Sequence, residues 1–272
     1  MPLLTFPNLS WKRWVGVSLE KRVKFILSSG ILALFFYLGN LLPASAGETA
    51  IFLGVSFYFL AFLSLFPEVR SWRFFLICLL PALFSAFFYS FIRFSPLPLF
   101  LKAISPLFFG LGVYFLFLVV NIFNISLVRL IPLFRVAWAV GFLFSVLSLF
   151  FASAFLFSLH LSFWQNGLLL TFFSLPLVFS SFWLADPKEK IGGRLFLFCL
   201  VLSLFLGELA LAISFWPSLP VLSALFLAFS FYVFGGIFQL HFAGRLTRQR
   251  LTEYLSFAFL ALILLFIKSR WG

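Results

Sequence analysis

Charged side chains are scarce in this sequence. Asp, Glu, Lys and Arg make up only 10% of the 272 residues, whereas about a quarter is usual in soluble domains. Since a water-soluble fold needs charged surface to cover its core, this composition excludes an ordinary soluble protein. The chain is 64% hydrophobic, and its apolar runs are long enough to cross hydrocarbon at about 1.5 Å per residue. The sequence therefore predicts an all-α, polytopic transmembrane helical bundle.

Cysteine and histidine are also scarce, with two of each. Cys78 and Cys199 both lie inside apolar runs, which argues against an oxidised extracellular framework. No Cys-x-x-Cys, phosphate-binding loop, His-Glu-x-x-His or Gly-x-Ser-x-Gly motif occurs. The seven acidic residues form no cluster suited to metal-assisted phosphotransfer. We therefore expect no metal and no cofactor, and regard an intramembrane enzyme as the least supported function.

Basic residues exceed acidic ones, giving a net charge of +12. Nucleic-acid-binding proteins concentrate Lys and Arg on one soluble face, but here these residues form short clusters between apolar runs. That pattern is typical of membrane orientation, because Lys and Arg are retained on the cytoplasmic side. The predicted partners are therefore membrane lipids, including anionic headgroups on the cytoplasmic side, and not nucleic acid.

Nine apolar runs are candidate membrane spans. They lie near residues 24–42, 49–66, 73–92, 103–123, 136–159, 167–184, 195–216, 219–240 and 251–267. The number falls to eight if the last run does not cross or the first is cleaved. The connections are too short to fold separately, so residues 24–272 are predicted to form one transmembrane domain. Inspection of the sequence shows no internal repeat, although an inverted repeat can be concealed by so biased a composition.

The positions of the basic residues predict the orientation. With nine spans and a cytoplasmic N-terminus, every Lys and Arg lies on the cytoplasmic side except Arg93, Lys102, Lys268 and Arg270. This asymmetry predicts a multi-pass protein of the cytoplasmic (inner) membrane. The ninth run is the shortest and leaves Lys268 and Arg270 outside, yet it is more apolar than an interfacial helix requires.

The stretch Leu41–Glu48, "LLPASAGE", follows the first run and contains the Ala-x-Ala of a signal-peptidase site. The run before it is longer than the 7–15 residues usual in a signal peptide. Residues 1–23 are predicted to form a cytoplasmic amphipathic segment, with Trp11, Trp14 and Leu19 on one helical face. Such an anchor favours retention of the first run as a span, followed by a turn of small residues.

Glu208 is the strongest candidate for a functional side chain, because a charge inside a span is costly and is usually retained for function. In one interpretation it faces a polar cavity and binds a proton, a cation or an amine. In the other it is protonated or paired, with Lys102 or His160 as the predicted partners near the outer side. These three residues form the candidate intramembrane polar site.

Two further groups of polar residues are expected near the cytoplasmic side. Asn121, Asn124, Gln239 and His241 are candidates for an inner vestibule, although such residues more often make helix–helix hydrogen bonds. Arg245, Arg248 and Arg250 form a basic loop that is a candidate contact for anionic lipids, at about 1 kcal/mol each.

Small residues predict where helices approach closely. Ala137, Gly141 and Ser145 recur at every fourth position of the fifth span, and Ser203 and Gly207 do so in the seventh. Because Gly207 precedes Glu208, we expect the acid to lie beside a close helix contact.

No resemblance to a known family emerges from these residues. The leading hypothesis is a non-enzymatic permease for a small solute or a lipid, or the membrane subunit of a transporter. The alternative is a structural or assembly partner of other membrane proteins.

Overall fold

The structure, a computed structural model, describes residues 11–41, 45–66, 73–126, 133–185, 192–242 and 246–268. Within these ranges the chain forms nine α-helices and no β-strand. They are α1 (Trp11–Leu41), α2 (Ala46–Leu65), α3 (Arg73–Phe94), α4 (Leu99–Ser126), α5 (Phe134–Ser158), α6 (Phe163–Ala185), α7 (Gly193–Ser214), α8 (Pro220–Phe242) and α9 (Arg248–Lys268). Among the described residues, α1 to α8 contain stretches long and apolar enough to cross a membrane. The predicted all-α transmembrane bundle is thereby confirmed.

Serines stand at the start of α2 and α6 and make side-chain hydrogen bonds there. Ser45 accepts a hydrogen bond from the Glu48 backbone N–H at 3.2 Å at the start of α2. At the start of α6, both the backbone N–H and the hydroxyl of Ser162 donate to Gln165 Oε1. A Ser followed three residues later by Glu or Gln satisfies donors that a helix N-terminus leaves unpaired. Of the Ala-Ser-Ala that the sequence placed in a turn, Ser45 is therefore the N-cap of α2 and Ala46 its first residue, while Ala44 lies outside the described residues.

Helix α1 joins residues 11–23 of the predicted amphipathic segment and the first span in one continuous helix, while residues 1–10 lie outside the described residues. Its part from Lys21 to Leu41 is apolar enough to span. Phe25 and Leu32 are fully buried, and the Phe25 ring stacks on Phe117 of α4. Helix α1 therefore contributes to the core, and its retention in the protein remains a prediction.

The first eight helices form two four-helix units with the same order of neighbours. In the first unit, α1 packs against α2 and α4, α2 against α3, and α3 against α4. In the second unit, α5 packs against α6 and α8, α6 against α7, and α7 against α8. In each unit the pairing of the second helix with the third is the most extensive. Four successive crossings return the chain to the side of the membrane on which it began. Equivalent helices of the two units therefore run in the same direction, as in a parallel internal repeat.

Sequence features recur at equivalent places in the two units. The capping serines Ser45 and Ser162 begin the second helix of each unit. The third helices share the pattern Arg-x-Phe-Leu-x-Cys-Leu, which starts at Arg73 and at Arg194. When α2 and α6 are aligned by placing Ser45 on Ser162, every buried residue of α2 falls on a buried residue of α6. These shared features and the common order of helix contacts indicate an internal repeat, which inspection of the sequence did not detect.

Aromatic rings fill the boundary between the two units. Helix α3 lies against α5 and α6, and α4 lies against α5. Phe87 of α3 packs on Phe173 of α6 with ring centroids 5.3 Å apart. Phe88 and Phe91 of α3 pack on Phe151 of α5 at 4.9 and 5.2 Å. This boundary explains why α3 is the most deeply buried of the candidate spans.

Helix α9 lies along α8, outside the two units. Near its start, Tyr254 packs against Gly236, so closely that a Cβ on Gly236 would lie 2.6 Å from the ring. Near its end, Phe266 packs against Trp216, which precedes α8. The two contacts lie at opposite ends of α8, so α9 runs antiparallel to α8 along most of its length.

Candidate functional site

Glu208 lies on the outward surface of α7. Its side chain is exposed, and it belongs to an exposed stripe with Leu197, Val201, Leu204 and Ala212. These positions follow the three- and four-residue spacing of one helix face. The opposite face carries the buried residues of α7, and there Leu206 has no exposed surface. The carboxylate therefore points away from the interior of the bundle.

The packing of α7 against α6 fixes this orientation. A Cβ on Gly207 would collide with Thr171 Oγ1 and lie 2.8 Å from the Gly167 carbonyl oxygen of α6. A Cβ on Gly167 would in turn lie 3.1 Å from the Gly207 carbonyl oxygen. The predicted close helix contact beside Glu208 is thus confirmed. Because the backbones are already in contact, α7 has little freedom to turn Glu208 inward.

The small residues of α5 have a different environment. Gly141 is buried, but a Cβ there would make ordinary contacts at 3.6 to 3.9 Å with Phe123 and Val119 of α4. Ala137 and Ser145 are also buried. This face packs against side chains, and its backbone does not approach that of α4 as closely as α7 approaches α6.

The predicted partners of Glu208 lie on other elements. Lys102 is half-buried in the first turn of α4, whereas His160 is exposed between α5 and α6, with a φ of 50°. The helices packed against α4 are α1, α3 and α5, while α7 packs against α6 and α8. In the described part of the chain, the Glu208 carboxylate has no hydrogen-bond or ion-pair partner. The three-residue polar site therefore remains a prediction.

The four vestibule candidates occupy two different helices, which both pack against α5. Asn121 and Asn124 lie on α4, and Gln239 and His241 on α8. Gln239 is buried and donates to Ser181 Oγ of α6 at 2.7 Å. Gln239 thus makes the helix–helix hydrogen bond that was the alternative to a vestibule role. Asn124 is buried and His241 is exposed, and each has a partner of its own.

The basic loop is described in part. Arg248 and Arg250 are exposed in the first turn of α9, whereas Arg245 lies outside the described residues. Thr247 begins this helix, and its hydroxyl accepts from the Arg250 backbone N–H at 3.4 Å. The side chains of both described arginines are therefore accessible at the N-terminal end of α9. Their contact with anionic lipids remains a prediction.

Metal-binding groups do not gather in the part of the chain that the structure describes. No set of three His, Cys, Asp or Glu side chains there is placed to hold an ion. Cys78 and Cys199 are both buried as free thiols, on α3 and α7 respectively. Their equivalent places in the two units mark them as packing residues.

The aromatic boundary between the two units was not predicted from the sequence. The chain has 47 Phe residues, and they are spread over buried and exposed faces alike. Phe108 is exposed while its neighbour Phe109 is fully buried. The type of residue therefore gives no signal of its position, and only the order of helix packing reveals which rings form the boundary.

Comparison with known proteins gives a similarity for the second half of the chain. A family model with the description "Protein of unknown function (DUF5656)" matches residues 142–268. The match runs from α5 to the end of α9, so it includes Glu208 and most of the second four-helix unit. No curated protein and no solved structure matches the chain. The chain is therefore a multi-pass membrane protein whose second half is similar to a family of unknown function.

Proposed function

We propose that this protein is an assembly component of the membrane, and that the outward face of α7 around Glu208 docks a transmembrane segment of another polypeptide. This face, called the α7 face below, consists of Val201, Leu204, Glu208 and Ala212. The observation that carries the proposal is a carboxylate exposed on an apolar helix face without a described partner.

Glu208 lies six residues before Ser214, the last residue of α7. At about 1.5 Å per residue, this places its Cα about 9 Å along the helix axis from that end. Fifteen residues of the same helix precede it, so Glu208 falls within the hydrocarbon layer if α7 crosses the membrane. A charged side chain at the centre of a span costs about 2.5–3.5 kcal/mol on insertion scales, and less nearer the ends.

Three arrangements relieve this cost. The carboxylate can be protonated, it can extend to the headgroups, or a partner helix can supply a hydrogen-bond donor or a cation. A carboxyl group that faces lipid still has unpaired polar atoms, since hydrocarbon provides no donor. A partner helix satisfies the carboxyl group and covers the apolar residues around it, which is how polar groups join helices in membranes.

The permease hypothesis requires Glu208 in a polar cavity within the bundle. The interior face of α7 instead carries Leu202, Leu206 and Ala210 near this depth, and all three are buried. Docking agrees better with the outward position of the acid. It also agrees with the rigid contact between α6 and α7, which holds the acid on the outside.

Photocrosslinking in intact membranes tests the proposal. A photoreactive amino acid is placed at Leu204 or Ala212, so that Glu208 is retained, and at Phe108 as a control on an exposed face of α4. We expect polypeptide adducts from the α7 face and only lipid adducts from Phe108. Glu208→Leu should reduce the polypeptide adducts about tenfold, the effect of about 1.4 kcal/mol of lost binding energy, and Glu208→Gln should reduce them less. Lipid adducts alone from all three positions would overturn the proposal.

A further inference from the structure

The boundary between the two four-helix units shows one way in which helices of this fold pack against another unit. Helix α3 of the first unit lies against α5 and α6 of the second. The Phe87 ring contacts Phe173 of α6, and Phe84 contacts Phe144 of α5 at 5.2 Å. If the two units are equivalent, α7 has a face that corresponds to this side of α3, and α1 and α2 have faces that correspond to α5 and α6.

The α7 face is the counterpart of the docked side of α3. Glu208 lies as far after Arg194 as Phe87 lies after Arg73. By the same count, Val201 and Ala212 correspond to Leu80 and Phe91. Leu80, Phe87 and Phe91 are at most 8% exposed, and the rings of Phe87 and Phe91 pack on Phe173 and Phe151 of the second unit. Their counterparts on α7 are exposed, so the second unit presents the docking side without an occupant in the described chain.

The first unit presents the complementary side. Phe144, Phe151 and Phe155 of α5 pack on phenylalanines of α3. These three residues precede Ser162 by the same numbers of residues as Leu27, Leu34 and Leu38 of α1 precede Ser45. The three leucines are therefore their counterparts, and all three are exposed. Phe173 of α6 corresponds to Ser56 of α2. The side that docks in the second unit is therefore exposed in the first at the three α1 positions and half-buried at Ser56.

Ser56 and Glu208 are chemically matched. Ser56 corresponds to Phe173, and Glu208 corresponds to Phe87. At these positions a hydroxyl and a carboxyl group therefore replace the two aromatic rings that pack together at the boundary. Ser56 makes no described hydrogen bond, whereas Thr49 and Ser64 of the same helix both do. A hydroxyl donates to a carboxylate through a strong, charge-assisted hydrogen bond. Each group would thus satisfy the other in a contact that excludes water.

We infer that the segment docking on the α7 face is the α1–α2 face of a second copy of this chain, with the Ser56 hydroxyl donating to Glu208. This inference rests on the proposed docking function and names its occupant. The contact is head-to-tail, because it joins different surfaces of the two copies. Such a contact forms a ring if the rotation closes and an extended array if it does not.

Two differently tagged copies in one membrane allow a direct test. One copy carries the photoreactive residue at Ala212, and the adducts are mapped by peptide mass spectrometry. We expect them on α1 or α2 of the other copy. Adducts mapped to a different polypeptide would overturn this inference and leave the docking function standing. Adducts with lipid alone would overturn both.

Substitution provides a second, independent test. Glu208→Phe should reduce the adducts between copies at least several-fold, because an aromatic ring would then face Ser56. The double variant Glu208→Phe/Ser56→Phe recreates the pairing of Phe87 with Phe173 and should restore them. Glu208→Phe/Val55→Phe is the matched control, since Val55 is exposed on α2 but is not the counterpart of Phe173. The yield of inserted monomer is measured for each variant. Equal recovery by both double variants, or by neither, would contradict the inferred pairing.

Discussion

At the scale of single residues, the contact of Gly207 with α6 has the clearest energetic consequence. A methyl group at this position would meet the Thr171 hydroxyl and a backbone carbonyl, and the carbonyl cannot move without displacing α6. Overpacking of this kind typically costs about 1–3 kcal/mol. We therefore expect Gly207→Ala to lower the melting temperature of the purified protein in detergent.

Gly30→Ala is the matched control for this substitution. Gly30 is also in a helix, but a Cβ there has no neighbour within 4 Å. Alanine is the better helix former, so this variant should melt at or slightly above the temperature of the parent protein. If the Gly207→Ala and Gly30→Ala proteins had the same melting temperature, the backbones of α6 and α7 would not be in contact.

The buried bond between Gln239 and Ser181 provides a second prediction at this scale. Its donor and acceptor lie on different helices, 2.7 Å apart. Interhelical hydrogen bonds in membranes contribute about 0.6 kcal/mol on average and up to about 2 kcal/mol. A double-mutant cycle of Gln239→Leu and Ser181→Ala, followed by thermal unfolding, should give a coupling energy in this range. Strict additivity would indicate that Gln239 serves another purpose, such as the vestibule predicted from the sequence.

Glu208 could be predicted from the sequence as the candidate residue, but the sequence did not show whether its side chain points into the bundle or outward. Glu208 is conspicuous as the one acid within the seventh apolar run. However, the exposed face of α7 carries Leu204 and the buried face carries Leu206. Since lipid and protein interior are both apolar, the residue types on either side of the helix do not reveal which face is outward.

At the scale of helices, the bounds follow closely from physical chemistry. Charges, prolines and capping residues end each apolar run, and they placed α2 to α8 within a few residues of their observed ends. Helix α1 differs because the basic residues from Lys21 to Lys24 are compatible with helix and do not interrupt it. The sequence thus predicted the spans more reliably than the helices that contain them.

Helix α9 gives a prediction at this scale. Its contacts with Gly236 and Trp216 place it antiparallel to α8, so we expect it to cross the membrane as a ninth span. A cysteine at Leu246 and one appended after Gly272 should react with a membrane-impermeant thiol reagent from opposite sides. The test uses a background of Cys78→Ala and Cys199→Ala. Labelling of both new cysteines from the same side would show that α9 does not cross.

At the scale of the whole molecule, the internal repeat is the main feature that the sequence concealed. Two copies of an apolar unit can diverge while keeping their packing, because one large apolar residue replaces another with little change in transfer energy. The shared pattern at Arg73 and Arg194 becomes noticeable only after α3 and α7 are recognised as equivalent helices. For the same reason, the open faces of α1, α2 and α7 could not be assigned from the sequence.

The last prediction concerns the boundary between the units. Since α3 docks on α5 and α6 through phenylalanine rings, residues 1–132 and 133–272 should associate when they are expressed as separate fragments in one membrane. We expect the two tagged fragments to co-purify in mild detergent. Substituting three boundary rings by alanine (Phe84, Phe87 and Phe91) should reduce the recovered complex at least tenfold, because large-to-small changes at buried Phe cost about 3–5 kcal/mol each.

The control for this experiment uses the same number and type of substitutions. Phe100, Phe108 and Phe115 lie on exposed faces of α4, and their replacement by alanine removes apolar surface that faces lipid. In lipid this change leaves the boundary intact, so recovery of the complex should be unaffected. If both triple variants lost the complex equally, the fragments would be held together by hydrophobicity in general. Selective loss in the boundary variant would show that the two units recognise each other through the packing of these phenylalanine rings.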